Sequence, residues 1–360
     1  MHGAIRRSTV VLGVLFVALV AVLHAAAGPP ANAYTVTPLV SDIPGVAPVT
    51  DPDLVNAWGL ARSATSPWWV ADNGPDPSSS KSTVYTNDGT KLLSVDVLGA
   101  PTGAVFAGIA DNFPIATDTD PTLGPASFIF ATENGDLRAW RGGSTALVAP
   151  TTGIAPGAIF KGLAIAEPTP GSPLLYATDF HNGQVEVFDG AWQNVTPPGA
   201  FVDPNLPEGA APFGIQAIGS DIFVTYAKQD ADAEDDVHGQ GLGIVDEYDL
   251  QGNLVTRVAQ HGLLNAPWGL AMAPDSFGRF GGDLLVGNFG NGEINAYHHG
   301  ALGWQHAGTL RTSDGNPLMI DGLWALQFGN TGLNGDPNTL FFTAGPNDES
   351  DGLFGTITTG

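Results

Sequence analysis

The chain of 360 residues contains no cysteine. Disulfides, thiol catalysis and cysteine-ligated zinc are thereby excluded, and stability has to come from packing alone. Cations are nearly as scarce, with 12 Lys and Arg against 36 Asp and Glu, a formal charge of −24. Phosphate binding needs a basic face, so nucleic acid and anionic membranes are poor partners for this surface. Beyond the first thirty or so residues no long i, i+3, i+4 apolar stripe appears, so helices are not expected. Catalytic signatures are also missing. There is no G-x-S-x-G elbow and no H-E-x-x-H pair. The run Gly239–Gly243 is not a dinucleotide fingerprint, because it opens a strand rather than a helix. Ser78 and Lys81 match a penicillin-binding pattern by letters only, and Asn194–Thr196 is a glycosylation sequon that matters only in a host that uses it.

What the chain does have is 48 Gly and 28 Pro, the residues of many tight turns. Pro267 to Tyr297 sets the pattern. An apolar segment begins at Trp-Gly-Leu, a Gly/Pro/Asp turn follows, a second apolar segment ends at Asn288, and an Asn-Gly turn leads into a third. Short β-rich runs between turn signals read as antiparallel strands joined by hairpins. Edited copies of this segment occur six times, with anchors at Gly59, Gly103, Gly162, Gly214, Gly269 and Gly322 and spacings of 44, 59, 52, 55 and 53. A period near fifty with about four strands per unit predicts an all-β, six-bladed β-propeller. The last copy supplies three strands before the chain stops. Tyr34–Val40, which precedes the first anchor, is expected to pair with the last blade and close the ring, so that no sheet edge is left open.

Residues 1–33 read as a signal peptide: Arg6-Arg7, an apolar run from Val10 to Ala27, and an A-x-A site ending at Ala33. The length of the run leaves an uncleaved anchor as the alternative. The expectation is a secreted or periplasmic protein, with residues 34–360 forming one propeller domain. That part keeps 10 basic and all 36 acidic residues.

In a propeller, function gathers where the inner strands begin. The residues just before the anchors are Trp58, Thr102, Lys161, Phe213, Trp268 and Asp321. The aromatics among them are read first as inter-blade packing. Lys161 and Asp321 form either a structural ion pair or a functional one, since a charge beside an inner strand must be paired, wet or used. In the hairpin loops, His181 and Asn288 join the candidate ligand-binding mouth; Asp or Asn before Gly is otherwise ordinary turn chemistry. The fourth copy carries a long acidic loop with Asp230, Asp232, Glu234, Asp235 and Asp236. Hard cations want several carboxylates on one flexible loop. With Asp235 and Gly241 where an EF-hand needs Gly and Glu, this is no EF-hand; a calcium (Ca2+) site and a solvated acidic loop are both open.

Three segments, Asn56–Ala61 (NAWGLA), Tyr226–Val237 (YAKQDADAEDDV) and Phe342–Ile357 (FTAGPNDESDGLFGTI), resemble a family of secreted bacterial proteins of unknown function placed among NHL-like six-bladed propellers. The resemblance covers Tyr34–Gly360 and implies the fold and export, but no activity. More distantly, the blades are similar to SMP-30/gluconolactonase-type propellers, lactonases that hold a divalent metal through Glu, Asn and Asp. Asp321-Gly322 looks like the Asp-Gly that supplies one ligand there; Trp58, Thr102, Lys161, Phe213 and Trp268 do not supply the others. The leading expectation is a monomeric, non-catalytic extracellular module binding a small molecule, glycan or protein. The alternative is a divalent-metal-dependent hydrolase of the lactonase type. A quinone-dependent sugar dehydrogenase ranks last, because its cofactor's carboxylates need basic groups.

Overall fold

The computed structural model describes residues 31–360, so all but the last three residues of the expected leader lie outside it. Six sheets, antiparallel except for a short parallel pairing of Val49–Thr50 on Tyr34–Ser41, stand around a channel. Their inner strands are Ala57–Ala61, Pro101–Phe106, Phe160–Thr169, Ala210–Ile218, Pro267–Met272 and Leu323–Phe328. Each neighbours the next, and the last returns against the first. The ring closes as the sequence predicted. Tyr34–Ser41 lies antiparallel to Leu353–Thr359, from Tyr34↔Thr359 to Ser41↔Leu353, with one bulge between Pro38 and Val40. Among the described residues the only helices are the 3-10 turns Gly278–Phe280 and Gly332–Asn334.

The packing follows from strand alternation. Successive residues on a strand face opposite sides of the sheet, so Phe341 joins the core between blades six and one while Phe342 joins that between five and six. Comparable cores lie between blades one and two, two and three, three and four, and four and five. No blade could bury both faces alone.

The anchor glycines have a steric cause. A methyl at Gly59 would run into the carbonyl oxygen of Thr102, and one at Gly214 into that of Trp268. Adjacent inner strands are that close. A bulge in the inner strand accompanies the anchor. In blade three a second-strand threonine fills it: Thr178 Oγ1 accepts the Gly162 N–H at 2.7 Å and donates to the Phe213 carbonyl of the next blade at 2.7 Å. Thr343 makes the same link from Ala325 N to the Trp58 carbonyl.

That link corrects the sixth anchor. Trp324-Ala325-Leu326, not Asp321-Gly322-Leu323, occupies the Trp-Gly-Leu position, and a methyl on Gly269 would meet the Trp324 carbonyl. Alanine replaces the glycine here, so the glycine three residues upstream drew the register away. Asp321 is exposed and lies just outside the inner strand.

Candidate functional site

At the end where the inner strands begin, the channel is filled by aromatic rings. Trp58 stacks on Trp324 at 3.6 Å between centroids, and Phe289 stacks on the other neighbour side of Trp324 at 3.8 Å. Phe213 and Trp268 meet Trp324 edge-on at 5.9 and 5.8 Å. Trp58, Phe213, Trp268 and Trp324 are all buried. The predicted aromatics Trp58, Phe213 and Trp268 do converge, but as a plug.

The polar groups above the plug satisfy one another. Lys161 is 1% exposed. Its ammonium donates to Glu133 and, at 3.0 Å, to Asp235, and it sits 5.3 Å from the Trp58 ring. Burial alone would push the Lys161 pKa down, but the two carboxylates outweigh it and the net shift is upward. Its partners are therefore Glu133 and Asp235, not Asp321. Asn56 accepts from the indole N–H groups of Trp58 and Trp324 and donates to Glu349 at 2.8 Å. Asn73 donates to Glu133 at 2.9 Å. Burial raises the Glu349 pKa, opposed by the Asn56 hydrogen bond.

Glu349 reaches this place through three successive left-handed residues, Asn347, Asp348 and Glu349, with φ of 58°, 53° and 63°. Each costs a residue with a Cβ about 1–2 kcal/mol. Asp321 helps hold the turn, accepting the Asn347 N–H at 3.0 Å. That is the structural work of the aspartate to which the lactonase resemblance gives a ligand role. His181 is half-buried and its Nδ1 lies 3.3 Å from the Ala233 carbonyl. Asn288 is buried in its hairpin, bonded to Leu263, Asn265 and Asn291.

The acidic loop does not gather its carboxylates. Asp230 caps the Glu234 N–H at 3.0 Å, Asp235 goes to Lys161 and Asp236 pairs with His238 at 3.1 Å. Asp232 and Glu234 are exposed. Among the described residues no three His, Asp or Glu side chains stand close enough to share a metal ion.

The channel opens at the other end, where the inner strands finish. A cavity of about 260 Å³ is lined by Arg62, Ala104, Leu163, Gln216 and Gln327, among others. A second lobe of about 170 Å³ shares Arg62, Gln216 and Gln327 with it. A narrow throat of about 20 Å³ runs inward past Leu60, Leu163, Leu270 and Leu326 to Trp268. Arg62, Gln216 and Gln327 follow the anchor positions by two or three residues. Sequence reading had looked just before the anchors; the signal was an arginine at the end of an inner strand in a chain poor in cations.

No family model matches the chain. The expected kinship to NHL-like and SMP-30/gluconolactonase-type propellers thus gains no support beyond the shared ring. Uncharacterized protein R648 of Acanthamoeba polyphaga mimivirus is 32% identical over 334 residues, 89% of this chain and 78% of that one. Uncharacterized protein L690 of the same virus is 29% identical over 341 residues, 90% of this chain and 85% of that one. Both are viral rather than bacterial. Among solved structures, a structural genomics protein of unknown function from Bacteroides thetaiotaomicron aligns with a TM-score of 0.56 at 11% identity, over 90% of this chain and 76% of that one. At that identity the likeness concerns the fold alone.

Proposed function

The chain belongs to the family of the mimivirus protein R648, and we propose that it is an exported, non-catalytic binding propeller that takes a small molecule into the far end of its channel. One observation carries this reading. Polar groups at the plugged end are spent on one another, whereas the open end joins apolar walls to an arginine and two glutamines. A concave site with a few convergent polar groups is a common form of small-ligand pocket. Export rests on the leader; cleavage after Ala33 would leave the closing strand, which starts at Tyr34, whole.

The test is a ligand screen by thermal shift, followed by analysis of what happens to each hit. The reading expects a saturable rise in melting temperature, with the ligand recovered unchanged. Turnover of a lactone or ester, abolished by Glu349→Gln or Asp321→Asn, would replace it with the hydrolase.

A further inference from the structure

Resting on the binding reading, the geometry of the open end points to a ligand class: we propose a short hydroxy monocarboxylate held in the two lobes, its carboxylate on Arg62 and its hydroxyl on Gln327. Arg62 is the first reason. Its hydrogen bonds all go to backbone carbonyls, with Nε and Nη2 on Phe328 at 2.9 and 2.7 Å and Nη1 on Ser63 at 3.3 Å. Among the described residues no carboxylate pairs with it, although the chain has 36. Nη1 keeps a proton for a ligand, and a carboxylate is the natural acceptor for a guanidinium. No acidic residue lines either lobe or the throat.

Gln327 is the second reason. It lines both lobes, and its Oε1 is buried without a hydrogen-bond partner. Of the unpartnered buried atoms among the described residues, this is the one that belongs to a residue lining either lobe. Leaving such an atom unsatisfied costs free energy, and a ligand hydroxyl would relieve it. The walls supply the third reason. The throat of about 20 Å³ holds little more than one water, so the ligand is confined to the two lobes and must be short. Charge limits the class further. One arginine within a protein of net charge −24 attracts a monoanion locally, while the field of the whole protein disfavours phosphates and other dianions.

The experiment is calorimetric titration of the full chain with lactate, 3-hydroxybutyrate and 3-hydroxyhexanoate. Butyrate and methyl 3-hydroxybutyrate serve as the probes lacking hydroxyl and charge. The expected result is binding of at least one hydroxy acid about tenfold tighter than either control. Arg62→Gln should remove the preference for acid over ester, and Gln327→Leu the preference for hydroxybutyrate over butyrate. Arg62→Lys should retain part of the acid preference if Arg62→Gln proves too unstable to titrate. Equal binding of acid and ester, or unchanged binding by a folded Arg62→Gln protein, overturns the ligand class. So does absence of binding by all three acids at about 10 mM. If the methyl ester binds and Ala104→Trp abolishes it, the binding propeller stands and only the ligand class falls. If Ala104→Trp leaves every observed ligand unaffected, the site itself is wrong.

Discussion

Trp324→Ala, compared with Asp321→Ala, decides which residue completes the ring of anchors. Trp324 is 1% exposed, stacked between Trp58 and Phe289, and met edge-on by Phe213 and Trp268. Truncating a buried tryptophan costs about 3–5 kcal/mol in transfer and cavity terms. Lost aromatic pairing, largely contained in that range, adds at most about 1 kcal/mol, and Asn56 loses one of its two indole donors. The expected total is about 4–6 kcal/mol. For a domain of this size that lowers the melting temperature by roughly 6–9 °C. Asp321 is exposed and offers one hydrogen bond to a surface turn, so its loss should cost at most about 1 kcal/mol. Urea unfolding of both variants, read by near-ultraviolet circular dichroism, gives the two values directly. If Asp321→Ala proves as damaging as Trp324→Ala, or Trp324→Ala costs under about 1 kcal/mol, the plug and the corrected register are both wrong.

Thr178→Val keeps shape but strips the Gly162 N–H and the Phe213 carbonyl of their buried partner; urea unfolding should show a loss of about 2–4 kcal/mol, largely restored in Thr178→Ser. Glu349 has its pKa raised by burial, so the folded state holds its proton at a pH where the unfolded chain has released it. Its contribution is full below the unfolded pKa and is lost as pH rises through the folded one. Glu349→Gln should therefore gain in melting temperature over the parent at neutral pH, and the gain should shrink on acidification; a gain independent of pH would contradict the assignment. Because three of the five acidic-loop carboxylates are committed to a cap and two ion pairs, leaving only the exposed Asp232 and Glu234, calcium added after EDTA should not shift the melting temperature. A calcium-specific rise, lost in Asp230→Ala, would establish a loop site instead.

How much of this was legible beforehand varied with the physics behind each feature. The closing strand could be read because YTVTPLV had no blade of its own and a propeller leaves no open edge. Five anchors could be read because a backbone approach leaves room only for glycine. The sixth could not be read that way, since Ala325 fits where glycine was sought; the Trp-x-Leu spacing of Trp324 and Leu326 was the surviving clue. The aromatic mouth residues were found, but whether rings plug or line a channel depends on how six blades bring them together. Lys161 was rightly singled out as a charge needing a partner, yet Glu133 and Asp235 come from other blades, and no local pattern links them. The open end was missed because its residues lie at strand exits, where nothing in the repeat marks them.

The account rests on one end of the channel being open and the other shut, and the absence of cysteine makes that directly measurable. Gln216→Cys places a thiol in the open end and Thr102→Cys one at the shut end, where Thr102 is fully buried and bonded to the Phe160 carbonyl. With a small methanethiosulfonate reagent under native conditions, Gln216→Cys should label at the rate of an exposed thiol. Thr102→Cys should label only as fast as the fold opens. The reverse order, with the thiol at the shut end reacting first, would place the binding end at Trp58 and Trp324 and contradict the account.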